Sequence, residues 1–252
     1  EASSVNASHG TYDPEYVTTD ELGFKTTFRT GNVPFTFNAD VFYTNYKDIQ
    51  VAAGDFNPVS NASGAAVFNA GKAKIKGVEV EGSVVPVTGL EISANYSHLN
   101  GSYGRFQIFS PFGQIDCSGG YVVGNVDLSC MPFSYLPKNQ FSVSARYQLP
   151  VPADIGKLIF NATYAYTGSW INTTTALPSQ NPGSEFGSYG LLNFSLNWNG
   201  IGNSPVDVGL FMTNASNKTY RTTFTGVWAT LAVESSLYGE PRMYGAQVRY
   251  HW

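Results

Sequence analysis

The sequence predicts an all-β fold, an antiparallel transmembrane β-barrel fragment of about nine up-and-down strands. Three observations predict it. Polar and apolar residues alternate with a period of two along most of the 252 residues, a pattern that a strand sorts onto two faces and a helix smears around its axis. Charged residues make up 13% of the chain and aromatics 15%, with 17 Phe and 16 Tyr, whereas a soluble domain carries about 25% charged residues. Short Pro/Gly turns alternate with long polar loops, as they do in barrels that cross a membrane.

The strands follow in order. Leu22, Phe24 and Phe28 oppose Glu21, Lys25 and Arg29. Phe35, Phe37, Ala39, Val41 and Tyr43 oppose Thr36, Asn38, Asp40 and Thr44. In Lys72–Val85, Val78, Val80 and Val84 oppose Glu79, Glu81 and Ser83, but Ile75 falls in the other phase, which predicts a bulge there. Leu90, Ile92, Ala94 and Tyr96 oppose Glu91, Ser93, Asn95 and Ser97. Phe141 to Leu149, Leu158 to Tyr166, Leu192 to Trp198 and Val206 to Met212 alternate in the same way. In the last strand Tyr244, Ala246, Val248, Tyr250 and Trp252 oppose Gly245, Gln247, Arg249 and His251.

The polar face is mostly Asn, Ser, Thr and Gln, where a water-exposed sheet carries more Lys and Glu. Tyr43 and Tyr46, Tyr96, Tyr147, Tyr166 and Trp170, Trp198, Tyr250 and Trp252 gather at strand ends, where amphipathic rings form girdles at the membrane–water boundary. Short turns are expected at Gly31–Pro34, Pro86–Gly89, Pro150–Gly156 and Gly200–Pro205, and long loops at Ala53–Ala66, Ser102–Lys138, Ile171–Gly187 and Lys218–Pro241. Short turns on one rim and long loops on the other match the outer membrane of a Gram-negative bacterium. Bacterial barrels have an even number of strands. An odd count, in a chain that opens at Glu1 with neither Met nor leader, reads as an internal piece of a larger protein.

With 14 Lys+Arg against 18 Asp+Glu, the chain lacks the clustered cations that phosphate neutralisation by a nucleic-acid binder needs. No stretch approaches the roughly 18 apolar residues of a transmembrane helix. His9, His98 and His251 are scattered, and no nucleophile–base arrangement, nucleotide loop or metal set is readable. The chain is read as no enzyme and as needing no cofactor. Glu79 and Glu81 share a face and read as polar barrel wall bonded to Lys or Arg on neighbouring strands. Cys117 and Cys130 are either two free thiols or a loop disulfide; the disulfide, the favoured reading, would add about 3 kcal/mol on the chain-entropy model and implies an oxidising compartment.

Several segments carry a family resemblance. Pro14-Glu15 followed by Glu21-Leu22-Gly23-Phe24-Lys25, then Asp40-Val41-Phe42-Tyr43-Thr44-Asn45-Tyr46-Lys47-Asp48-Ile49, then Asn69-Ala70-Gly71 with Gly77-Val78-Glu79-Val80-Glu81-Gly82, and finally Gly239-Glu240-Pro241-Arg242 before a last strand ending on an aromatic, resemble TonB-dependent outer-membrane receptors in order and spacing. The resemblance implies a barrel of about 22 strands with an N-terminal plug, driven by the proton gradient through the TonB complex. Residues 1–252 correspond to the C-terminal portion of that barrel, without plug, TonB box or earlier strands. The expected partners are outer-membrane lipid, the barrel-assembly machinery, the TonB complex through the missing N-terminal region, and a scarce small ligand, foremost an iron–siderophore complex.

Candidate ligand-binding residues are the loop aromatics and cations Tyr103, Arg105, Phe106, Phe109, Tyr220, Arg221 and Trp228, which suit stacking and hydrogen bonding. Self-packing of a folded loop is the competing reading. Tyr244, Val248, Tyr250 and Trp252 resemble the terminal strand read by the barrel-assembly machinery, whose basis is strand addition at an open edge. Two other readings compete with the receptor: a small passive porin or structural barrel, and a secreted β-sandwich binding module.

Overall fold

The computed structural model describes residues 11–57, 62–226 and 233–252. In chain order its strands are β1 (Tyr16–Thr30), β2 (Val33–Asn57), β3 (Ala62–Val87), β4 (Leu90–Ile115), β5 (Tyr121–Asp127), β6 (Asn139–Gln148), β7 (Lys157–Thr167), β8 (Trp170–Ile171), β9 (Glu185–Phe186), β10 (Tyr189–Asn199), β11 (Val206–Thr213), β12 (Arg221–Gly226), β13 (Glu234–Tyr238) and β14 (Met243–Tyr250). Among the described residues, nine of them pair consecutively as β1-β2-β3-β4-β6-β7-β10-β11-β14, with β5 added to β4 and the pairs β8–β9 and β12–β13 set apart in loops. The pairing is antiparallel throughout. The short turns expected from the sequence join these strands on one rim.

Cross-strand register carries each face across the sheet. Phe28, Phe35, Val84, Ile92, Ala145, Ala162, Phe194, Met212 and Tyr244 form one apolar row. One residue along, Thr27, Thr36, Ser83, Ser93, Ser144, Thr163 and Asn193 form a polar row on the other face, and the Ser93 and Ser144 hydroxyls lie 2.7 Å apart. Such pairs stabilise a ladder and fix its register, since a slip by one residue would exchange the faces.

The apolar face is uncovered: Leu22 is 77% and Val248 72% exposed. A water-soluble β-sandwich would bury these side chains under a second sheet, at a gain of about 1.5–3 kcal/mol each. No second sheet lies on this face among the described residues, so the sandwich reading is corrected. The buried core sits at the long-loop end instead, where Ile49, Val51, Ala73, Phe106, Ile108, Val126 and Leu128 pack together.

Other expectations also change. The loops expected at Ala53–Ala66 and Ser102–Lys138 are largely strand: β2 and β3 stay paired to Asn57↔Ala62, and β4 runs on to pair with β5. At 25, 26 and 26 residues, β2–β4 far exceed the 9–11 residues that cross a bilayer. The bulges fall beside Ile75 rather than at it. Register shifts lie on both sides of Ile49 in the β2–β3 pair, passing over Asp48 and Ala70, and separate Lys72 from Ala73 in the β3–β4 pair. Ile75 itself pairs regularly with Thr44 and Gly101, below the buried core. Tyr46 is paired with Ala73 and packs against that core, on the face opposite Tyr43. Glu81 accepts from Asn38 Nδ2 at 2.6 Å, and Asp40 stands opposite Glu79, so neighbouring amides rather than Lys or Arg meet this wall.

Candidate functional site

The motif residues interlock at the long-loop end of β1–β3. Asp48 adopts a left-handed conformation, φ 56°, and this bulge aims its carbonyl at Asn69. Asn69 Nδ2 donates to Asp48 O and to Asp13 O, both at 2.8 Å, while its Oδ1 accepts from Asp13 N. Glu15 accepts from Tyr46 Oη at 2.6 Å and from the Gln50 amide at 3.1 Å. These bonds hold the Glu15 carboxyl below its usual range, the Tyr46 bond contributing most, and push the Tyr46 phenol up to about 12. A Cβ at Gly71 would collide with the Arg105 carbonyl, and one at Gly77 with the Phe42 ring. These motif residues fasten the strap before β1 onto the sheet.

Above the clasp, the β4–β5 extension folds on itself. Phe106 is 0% exposed and stacks on Tyr103 at 4.2 Å, which stacks in turn on Phe133 at 4.8 Å. Burial raises the Tyr103 phenol. Phe106 is therefore packing of the extension and presents no face to a ligand, and Tyr103 is largely committed in the same way. The neighbouring Arg105 points to the other side, exposed, with Nη2 donating to Gln107 Oε1 at 3.0 Å. It lines a polar cavity of about 300 Å³ with Phe109, Lys72 and Asn125. Cys117 and Cys130 are joined by a disulfide with Cα atoms 5.7 Å apart, which closes the segment that carries β5.

Tyr220 and Arg221 lie in a separate cluster. Tyr220 stacks on Tyr189 at 4.5 Å. Arg221 sits 4.7 Å from the Phe186 ring centre and donates to Gly183 O at 2.8 Å and to Glu185 O. These bonds pin the loop after β11 to the loop after β7. Trp228 lies outside the described residues. The six described candidates therefore do not converge on one pocket.

Between the two clusters opens a cavity of about 650 Å³ lined by Met131, Phe133, Lys138, Trp170, Glu185 and Phe186, among others. Trp170, expected in the girdle, stacks on Phe186 at 4.1 Å through the β8–β9 pair. This cavity combines apolar and aromatic walls with one cation and one carboxylate, the composition that holds an amphiphilic small molecule. The sequence signal for it was the aromatic pair Trp170 and Phe186 flanking a Pro-rich loop. Among the described residues no group of His, Cys, Asp and Glu is placed to hold a metal ion. At the other rim, His251 Nε2 lies 2.7 Å from Asp207 Oδ2. The outward faces of Tyr244, Val248 and Tyr250 are exposed along β14, and Trp252 follows its end fully exposed.

Residues 2–227 match the family model described as TonB dependent receptor-like, beta-barrel. No curated protein matches the chain. Solved structures do. The siderophore receptor PiuA from Acinetobacter baumannii aligns with a TM-score of 0.64 at 21% identity, covering 97% of this chain and 29% of that one. The ferric yersiniabactin uptake receptor FyuA from Yersinia pestis aligns at 0.62 and 18% identity, covering 93% and 30%. The ferripyoverdine receptor of the outer membrane of Pseudomonas aeruginosa, bound to ferripyoverdine, aligns at 0.60 and 20% identity, covering 97% and 28%. The chain thus spans less than a third of the length of these receptors. With the family model matched over most of its residues and the same strand meander, the chain belongs to the TonB-dependent receptor-like β-barrel family and is part of an outer-membrane barrel.

Proposed function

We propose that residues 1–252 are the C-terminal portion of the barrel of a receptor that binds a scarce small ligand and imports it with energy delivered through TonB. The favoured ligand is an iron–siderophore complex recognised as a whole chelate. The family is one of receptors, not enzymes. The observation that carries the reading is the mixed aromatic and ionic cavity at the long-loop end, opening where an outer-membrane receptor meets its cargo. Import is proposed of the whole protein, because this chain spans less than a third of the length of the similar receptors. The exposed outward face of β14 and its terminal Trp252 support recognition by the barrel-assembly machinery.

Deleting the parent gene and comparing growth under iron limitation with growth on glycans tests the cargo. A defect confined to iron limitation, rescued by the intact gene and not by its Trp170→Ala, Phe186→Ala form, is expected. Normal growth without iron and failure on glycans would replace the siderophore with an oligosaccharide. A parent gene encoding no plug or TonB box would favour the passive barrel.

A further inference from the structure

The cations of the barrel sheet are not spread evenly. Lys25, Arg29, Arg146, Lys157 and Arg249 fall on the polar face, across from residues such as Asn38, Asn161, Asn199 and Asp207. The other five, Lys47, Lys72, Lys74, Lys76 and Arg105, all fall on the outward face, at the long-loop end of three adjacent strands. Lys72, Lys74 and Lys76 alternate along β3 and are exposed, while Ala73 between them is buried on the inner side. Lys47 pairs with Lys72, and Lys72 with Arg105, so three cations stand side by side in one row.

Like charges directly opposite each other destabilise a sheet unless something neutralises them. Among the described residues, none of the five forms an ion pair with a carboxylate. The acidic groups on or beside this face are Asp20, opposite Tyr43, Asp48 in the bulge, and Asp127, opposite Gln107. They leave the patch net positive. Its position is defined. Val78 and Val80 continue the apolar face directly below, and Lys76 Nζ sits 5.9 Å over the Tyr43 ring, within the aromatic girdle. From Lys76 to Lys72 the strand rises about 13 Å, or about 10 Å along the membrane normal at the usual strand tilt. That carries the cations from the girdle through a headgroup layer of about 5–7.5 Å on that side. The short-turn end of the same face, with Phe28, Leu90, Tyr147, Leu158 and Trp198, has no cation.

We infer that this patch binds the phosphate groups of an outer-leaflet glycolipid, with Lys47, Lys72, Lys74 and Arg105 as the phosphate-binding side chains and Lys76 stacked at the girdle. Charge complementarity names the occupant: Lys and Arg donate charge-assisted hydrogen bonds to phosphate, and each basic residue at a membrane surface strengthens anionic-lipid binding about fivefold. The inference does not depend on the imported ligand.

The test uses the intact parent receptor in detergent, titrated with fluorescent diphosphoryl lipid A, dephosphorylated lipid A and inorganic phosphate. The K47Q/K72Q/K74Q/R105Q variant is expected to bind diphosphoryl lipid A about 600-fold more weakly, and K72Q alone about fivefold more weakly. Lys157→Gln on the polar face changes nothing, and dephosphorylated lipid A binds all forms alike. Equal affinity of the parent and K72Q for diphosphoryl lipid A would overturn the inference. Displacement of the lipid by millimolar inorganic phosphate would also overturn it, making this a free-anion site. Heat-modifiable mobility verifies folding, and if the quadruple variant fails to insert, K72Q decides alone.

Discussion

Tyr46 donates its hydroxyl to Glu15 Oε1 at 2.6 Å, tying the residue just before β1 to the inner side of β2. The bond lies beyond the girdle, where water reaches it. Its strength shows in two opposite shifts, the carboxyl pulled down and the phenol pushed up to about 12. A phenol raised in the folded state adds stability below its ordinary value near 10 that is lost as pH climbs through about 12. A lowered carboxyl adds stability above its ordinary value of 4.5 that is lost as pH falls through the folded value. The clasp is therefore closed between these limits and opens at both extremes. Residue-selective NMR of labelled tyrosines, assigned with Tyr46→Phe, should show the Tyr46 titration move down toward 10 in Glu15→Gln. An unmoved titration would mean the bond is absent in solution. Tyr46→Phe should also speed exchange of the Gln50 amide, for a loss of about 0.5–1.5 kcal/mol.

Phe106→Ala should loosen the β4–β5 extension, because this fully buried ring leaves a cavity costing about 3–5 kcal/mol. Arg105→Ala, one residue away and exposed, should leave the extension as protease-resistant as before. Limited proteolysis of the intact receptor separates the two. Equal sensitivity of both variants would show that the ring does not hold the extension.

That pair of neighbours also shows what sequence could and could not reveal. The barrel strands were legible because lipid on one side and water on the other impose a period of two, seen from Leu158 to Tyr166 and from Tyr244 to Trp252. Past Lys47 the alternation fails for physical reasons. Asp48 and Gly104 each add a residue to one strand and flip its phase, as a bulge does. Beyond them both sheet faces meet protein or water, so small residues such as Ala66 read as loop. Aromatic residues in a loop announce burial or stacking without saying which. Phe106 turned inward, Tyr220 stacked on Tyr189, and the cavity fell to Trp170 and Phe186 from a loop that alternation does not reach. The clasp through Asn69 was visible only as a motif, since its bonds join residues 56 apart in sequence.

Reduction of Cys117–Cys130 should expose the segment around β5 to protease and leave the barrel intact. The bridge closes a loop of 13 residues in sequence separation, which on the chain-entropy model is worth about 3 kcal/mol to that segment. Proteolysis with and without reductant, beside heat-modifiable mobility, checks it. Loss of barrel mobility on reduction would show that the bridge supports the whole fold.

Arg221→Lys should behave nearly as badly as Arg221→Ala. The guanidinium serves two carbonyls, of Gly183 and Glu185, while lying over the Phe186 ring, and an ammonium lacks the planar fork that does both. Faster exchange of the amides in the loop after β7, similar in both variants, is expected. Full rescue by Lys would reduce the contact to simple charge.

Deletion of Trp252 should lower the amount of receptor inserted in the membrane without altering the stability of what does insert. The side chain is fully exposed beyond β14 and makes no packing contribution whose loss would unfold the sheet. Tyr244, Val248 and Tyr250 present the same outward face along a strand whose register on β11 is fixed, and backbone strand addition is how an assembly partner would read such a segment before the barrel closes. A role in recognition predicts slower assembly, reduced membrane yield and unchanged heat-modifiable mobility of the inserted fraction. A role as interface anchor alone predicts normal yield with a lower unfolding temperature. Conservative Trp252→Phe separates the two further: it keeps a terminal aromatic and should restore yield, whereas loss of yield with Phe in place would remove the recognition reading.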